Sequence, residues 1–379
     1  MISLTSVMEA VRREAGRHNE PSRDPPVRAV GELMMVRFGY GLITCQRYPG
    51  DLRNDTDLYR EALGVAEEAE RLGFDSVWTS EHHFADDSYA PSLLPLSAAM
   101  AARTSRIQIG TGLVLAPLYH PIRLAEDAAV VDLIAGGRFI LGLGQGWLRW
   151  EFEALGVPLG ERGRRIQAAI EICRQAWGNG LVEAAGVAVF PKPARSGPPI
   201  WAGAQSEPAI RRAAALADGW IAGEPDQESF QIQVGWLRDE MQRLGRRPEE
   251  VHVAGYWPVF VWDRPGHAWE VVRPFHHYVQ WKYQDAERAK GRLGPLPLPP
   301  ALDECSEAAL RTELICGTPA EVAARIAEFA EIALAAGPQF TFIARLYYPG
   351  MDPATMRETA RLFAENVIPA VRATVPETD

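Results

Sequence analysis

The sequence predicts a (β/α)8 TIM barrel with two additions: an excursion after the fourth helix and a long aromatic and proline-rich insertion after the seventh strand. Three observations carry this reading. From Arg37 onward, short apolar runs alternate with segments of helical periodicity. The runs are apolar on both faces, as strands must be when helices cover both sides of a parallel sheet. Eight of them can be counted, which fits a closed barrel better than a doubly wound open sheet.

Phe38 to Thr44 reads as the first strand. Its helix follows over Asp55 to Gly73, with Leu58, Ala62, Val65, Ala66, Ala69 and Leu72 near helical spacing and Gly73 as the stop. Strand two is Asp75 to Thr79, followed by a helix over about Ser92 to Arg103. Strand three spans Ile107 to Leu115, and its helix opens at Pro121 and ends near Ile134, before Gly136-Gly137. Strand four is Arg138 to Leu143, and the next helix covers about Arg162 to Trp177. The excursion runs from Asn179 to Pro199, with a β-like segment Val187-Ala188-Val189-Phe190 between Gly186 and Pro191. Strand five is Pro199 to Gly203 with a helix over Ser206 to Leu216, and strand six is Gly219 to Ala222 with a helix over Gln227 to Leu244. Strand seven is Val251 to Trp262, strand eight is Phe340 to Tyr347, and Asp352 to Val371 is a closing helix.

Residues 265–316 are too many for a simple connection, and long loops of this kind are often lids. Tyr256, Trp257, Phe260, Trp262, Trp269, Phe275, Tyr278, Trp281 and Tyr283 crowd strand seven and the following helix, ahead of the run from Gly291 to Pro300. Packing of an extra helix on the barrel is the plainer account of these rings. As a lid, the segment would bring Trp257 and Trp281 to the substrate, while His276 and His277 read as structural or surface residues. Residues 36–373 therefore form the barrel with its insertion. Residues 1–35 form an N-terminal extension, flexible because Glu20-Pro21-Ser22-Arg23-Asp24-Pro25-Pro26 has linker composition. Met34 and Met35 offer an alternative translation start.

Composition narrows the function classes. A formal net charge of −10 without a long basic run argues against a nucleic-acid surface and against attraction to anionic lipid, leaving a small molecule as the partner. No apolar stretch approaches the ~18 residues of a membrane span, and no secretion signal opens the chain, so a cytoplasmic location is expected. Cys45, Cys173, Cys305 and Cys316 form no CxxC pair; they suit a reducing compartment and read as packing residues.

Chemistry concentrates where strands end. Directly after strand two stands Ser80-Glu81-His82-His83-Phe84, at the C-terminal strand end where barrels bind ligands. A metal site is disfavoured, because adjacent strand residues point to opposite faces. After strand four, Gly142-Leu143-Gly144-Gln145-Gly146-Trp147 fails the dinucleotide fingerprint: its third glycine comes two residues after the second. These glycines either let the backbone approach a flat ligand, with Gln145 free to hydrogen-bond, or merely pack the strand tightly into its loop. After strand five, Gly203-Ala204-Gln205-Ser206 leads into a helix with Ser206 as N-cap and Pro208 in the first turn, where exposed amides can hold a phosphate. Glu207 would slightly oppose an anion there.

Taken in order, several motifs resemble the luciferase-like flavin-dependent monooxygenase family. They are Leu72-Gly73-Phe74-Asp75-Ser76-Val77-Trp78 with Glu81-His82-His83-Phe84, then Arg103 to Gly112, His120 to Asp127, Gly136-Gly137-Arg138-Phe139, and Gly317-Thr318-Pro319-Ala320-Glu321-Val322. The resemblance covers about Arg37 to Arg372, without most of residues 265–312. It implies a (β/α)8 barrel that uses reduced FMN, or alternatively the deazaflavin F420, and a homodimer. His82 matches the histidine taken as catalytic base, and Gly112-Leu113 matches a non-prolyl cis peptide against the flavin ring. Gly203 to Ser206 match the phosphate-binding turn. At Gln145 the chain departs from the luciferase branch, which carries a phosphate-binding arginine, so another cation must substitute or flavin is held weakly.

The resemblance implies a monooxygenase in which reduced FMN, delivered by a separate flavin reductase, meets O2 as a C4a-peroxyflavin and oxygenates an apolar organic substrate. His82 exchanges the proton in this scheme, and Glu81 or a backbone carbonyl orients it. An F420-dependent oxidoreductase transferring hydride without O2 would use the same barrel. A flavin-binding barrel without chemistry is a third expectation.

Overall fold

The computed structural model describes residues 35–374, Arg292 excepted. The predicted N-terminal extension, apart from Met35, lies outside the described residues. Among the described residues, eight parallel strands close into a barrel. They are β1 (Met35–Ile43), β2 (Ser76–Thr79), β3 (Gln108–Thr111), β5 (Phe139–Gly144), β6 (Ile200–Gly203), β7 (Gly219–Gly223), β8 (His252–Val261) and β10 (Gln339–Arg345). Pairing of β10 with both β1 and β8 seals the ring. Two short strands stand apart from it: β4 (Val114–Leu115) continues β3 and pairs with β5, and β9 (Ile315–Gly317) pairs beside the end of β8.

The helices start and stop where side chains satisfy their ends. In the helix Asp55–Leu72, Asn54 accepts from the Asp57 N–H, and Gly73 at φ 87° closes the last turn, a backbone conformation that costs glycine nothing. Asp226 caps Gln227–Leu244 in the same way. Thr318 and Glu321 cap Pro319–Leu334 reciprocally.

Two indoles fill the barrel's interior. Trp78 and Trp201 stack with ring centroids 5.3 Å apart, and the neighbouring strands make room with glycine. A Cβ at Gly110 would stand 2.3 Å from Trp78, and one at Gly219 would stand 2.6 Å from Trp201. Side chains, not water, therefore occupy the barrel's axis, and a ligand can enter only at its mouth.

Four expectations need correction. The third strand is not continuous: it breaks at the cis Gly112–Leu113 peptide that the resemblance implied. The excursion holds only an isolated bridge between Val182 and Val187, because Pro191 lacks an N–H and Val187 and Phe190 face solvent. The closing helix is interrupted by a π-turn over Phe363–Val367, where Pro369 removes the N–H that would bond the carbonyl of Glu365. Of the four cysteines, Cys45 and Cys173 are buried as expected, but Cys305 is exposed.

Candidate functional site

A cavity of about 500 Å³ opens at the C-terminal mouth of the barrel, within the range of small-molecule sites. Ser80, Glu81 and His82 from the end of β2 line it, with Gly112 and Leu113 beyond β3. Gly144, Gln145, Gly146 and Trp147 follow β5, and Gly203, Ala204, Gln205 and Ser206 follow β6. Ile221, Gly223, Tyr256 and Arg162 complete the wall. Every candidate cofactor residue read from the sequence thus meets Glu81 and His82 in one cleft.

The glycines act in both of the ways the sequence left open. A Cβ at Gly142 would lie 1.8 Å from the Thr111 carbonyl oxygen, so that glycine serves strand packing. A Cβ at Gly203 would lie 2.1 Å from Leu113, and one at Gly144 would lie 3.0 Å from it. These two let the Leu113 side chain form an apolar platform at the cleft floor.

His82 is held from three sides. Its Nδ1 lies 3.0 Å from Oε1 of Glu151, which also accepts the His83 N–H at 2.8 Å. Tyr283 stacks on the ring at 5.5 Å, and Tyr89 meets its edge at 4.9 Å. Nε2 remains as the ring nitrogen open to the cleft. The group bonded to His82 is therefore neither Glu81 nor a backbone carbonyl, the expected orienting groups, but Glu151, from the short helix Arg149–Ala154.

Glu81 instead bonds the second histidine, two residues further on, just past the end of β2. It accepts from His83 Nε2 at 3.2 Å, from the Leu115 N–H at 3.1 Å and from the Tyr119 hydroxyl at 3.1 Å. Burial nevertheless pushes the Glu81 carboxyl above the usual carboxylate range. Burial pulls His83 down, but the Glu81 hydrogen bond and the charges of Glu81 and Glu151 prevail, leaving its pKa raised.

The opposite end of the cleft suits a phosphate. Ser206 N-caps the helix Glu207–Leu216, yet its side chain makes no cap bond. Arg211 ties up Glu207 at 2.7 Å, so the acid that would oppose an anion is paired. Gln145 Oε1 accepts from Arg212 at 3.0 Å, and Arg162 lines the cavity. Burial holds the Arg212 pKa below its ordinary value. Arg162 in the cavity wall and Arg212 on Gln145 thus place two guanidiniums at this end.

The two proposed lid residues do not line the cleft. Trp257 alternates outward from β8, stacks on Phe342 at 4.9 Å and donates to the Pro225 carbonyl at 2.8 Å. Trp281 lies half-buried beneath Arg288 at 5.3 Å. The insertion reaches the site through Tyr283 at the end of the helix Ala268–Tyr283. Lys282, beside it, is buried between Asp86 and Asp87, with 2.9 Å to the latter, which pins this end of the helix to the loop after β2.

A glycine-walled floor, an apolar platform, a histidine and a cationic end thus meet in one cleft. The chain belongs to the luciferase-like monooxygenase family, whose model matches residues 36–336. It is 30% identical over 188 residues to the oxygenase component of a flavin-dependent trigonelline monooxygenase from Acinetobacter baylyi, covering 49% of each chain. It is 27% identical over 356 residues to an F420-dependent glucose-6-phosphate dehydrogenase from Kineococcus radiotolerans, covering 89% of this chain and 97% of that one. The first curated relatives it matches are spanned over about half to two thirds of their length. Among solved structures, a monooxygenase from Streptomyces bottropensis superposes with a TM-score of 0.73 at 26% identity, covering 88% of this chain and 99% of that one.

Proposed function

We propose that this protein is the oxygenase component of a two-component monooxygenase, which receives reduced FMN from a separate flavin reductase and oxygenates an organic substrate with O2. The observation that carries this reading is the Glu151–His82 pair, whose histidine shares one cleft with the Leu113 platform and a cationic end. Gly112, Leu113, Gly203 and Ala204 would face the flavin ring, and Gln145, Gln205, Ser206, Arg162 and Arg212 its phosphate end. When bound, reduced FMN supplies the electrons that activate O2.

The chain's own residues do the rest. Glu151 accepts from Nδ1 of His82, which leaves Nε2 to take a proton from the reacting group and return it. Tyr283 and Tyr89 fix the ring plane and exclude water from its faces. Glu81, buried in the cleft wall, holds His83 and the segment after β3 in place. The protein also works as a homodimer in this reading, supported by Val130, Leu133 and Ile134 exposed together on the helix Pro121–Ala135. No helix among the described residues is long and apolar enough to cross a membrane.

The alignment with the Kineococcus dehydrogenase favours a second reading, hydride transfer with F420 and no O2. Anaerobic titration with reduced FMN and with reduced F420, then a substrate panel with and without air, separates the two by mass spectrometry. The expected result is a product heavier by one oxygen atom, formed only with reduced FMN and air. Turnover under strict anaerobiosis, with reduced F420 as hydride donor or with oxidised F420 as hydride acceptor, would replace the monooxygenase with an F420-dependent oxidoreductase.

A further inference from the structure

Arg345 is the last residue of β10. Along that strand Phe340, Phe342 and Ala344 face the outer core while Ile343 joins the interior cluster, so Arg345 points inward at the level of the mouth. Its neighbour across the sheet, β8, presents Tyr256 to the cleft two residues below. The side chain is only 11% exposed.

A guanidinium offers five N–H donors, and a buried one needs most of them met. Arg345 spends one, Nη1 to Oε1 of Glu224 at 2.9 Å. None of its remaining nitrogens is among the fully buried atoms left without a partner, and Tyr89, Tyr256 and Tyr348 stand close enough to feel its charge. Burial raises all three phenols, while the positive charge of Arg345 pulls against it.

Glu224 reaches the arginine by an unusual route. It follows β7 with φ at 48°, a left-handed conformation that a glutamate seldom adopts, and its N–H is tied to the Tyr256 carbonyl at 3.0 Å. The carboxylate is single-pointed on the guanidinium, which leaves the other edge of the fork open. That edge matches a second carboxylate with two parallel bonds.

We propose that Arg345 binds an anionic oxygen group of the substrate, so that the cleft takes a planar aromatic carboxylate with its ring among the tyrosines. This rests on the reading of the cleft as the active site and goes further by naming the substrate's charge. Glu224 limits the affinity by sharing the guanidinium, and the aromatic walls take the apolar body.

The test is calorimetric titration of the full chain with benzoate, with neutral benzyl alcohol and, separately, with reduced FMN. The wild-type protein prefers benzoate. Arg345→Gln weakens benzoate at least ~10-fold, the scale of a charge-assisted hydrogen bond, and leaves benzyl alcohol and FMN unchanged. Glu224→Gln frees the guanidinium and tightens benzoate several-fold, which keeps the proposal open to refutation if Arg345→Gln does not fold. Equal binding of benzoate and benzyl alcohol by the wild type would overturn it. So would loss of FMN rather than benzoate in Arg345→Gln, or no tightening in Glu224→Gln. Failure of the wild type to bind reduced FMN would strike the flavin reading alone, since benzoate binding is read without cofactor.

Discussion

Two histidines at opposite ends of this barrel are treated in opposite ways. His252 sits at the start of β8, at the closed end, where its Nδ1 donates to Gln339 at 3.0 Å and its Nε2 accepts from Thr341 at 2.8 Å. Its ring lies 4.5 Å from Trp201, nearly parallel. Burial above all, aided by Arg37, lowers its pKa to about 4. His82, at the open end, has one nitrogen engaged and one free. The closed end satisfies every polar group of its histidine, whereas the open end holds back capacity. That difference separates a group that stabilises the fold from one that can transfer protons.

The comparison can be broken experimentally. Replacing His252 with Ala removes two buried hydrogen bonds and a stacked ring, and should cost about 2–4 kcal/mol of stability in urea unfolding. Turnover per folded molecule should stay unchanged. Acid should act through the same residue. Because its folded pKa lies below the ordinary value, the unfolded chain takes up the proton first. Stability from His252 is then complete above about pH 6.5 and falls by about 3 kcal/mol as pH drops to 4. His276, whose burial lowers its pKa to about 3, adds in the same direction. Unfolding curves at pH 7 and pH 4.5 measure the loss, and His252→Gln should lessen the slope.

At the open end, Glu151→Gln keeps an acceptor near His82 but removes the charge. About a tenfold fall in turnover is expected, with unfolding changed by less than about 1 kcal/mol. Nitrogen NMR of the ring should show Nδ1 losing its fixed proton, a signal that a purely structural role would not move. The smallest effect belongs to Trp281→Ala. Since Trp281 does not line the cleft, turnover should stay within about twofold, and a larger loss would restore it to the lid.

Much of this was legible in the sequence because the barrel repeats. Each strand had a short two-sided apolar run and each helix a capped 3.6-residue period, so the eight units could be read locally. The cofactor wall was legible too, as Gly112, Gln145 and Gly203 to Ser206 all follow strand ends. What escaped depends on contacts between distant segments. Glu151 lies 69 residues from His82, and Tyr283 reaches the ring from the insertion. A local signal for Glu151 existed, an acid set between Trp150 and Phe152, a placement that favours burial. Aromatic crowding carries no direction until strand alternation is fixed, which is why Trp257 packs in the outer core while its neighbour Tyr256 faces the cleft. The π-turn before Pro369 was likewise readable from that proline alone.

The most direct test of the account is the turnover of His82→Ala with reduced FMN supplied and air present, measured beside its unfolding curve and its FMN affinity. The account predicts at least a ~100-fold loss of turnover with folding and FMN binding nearly unchanged. Wild-type turnover in that variant would contradict it and remove His82 from the chemistry.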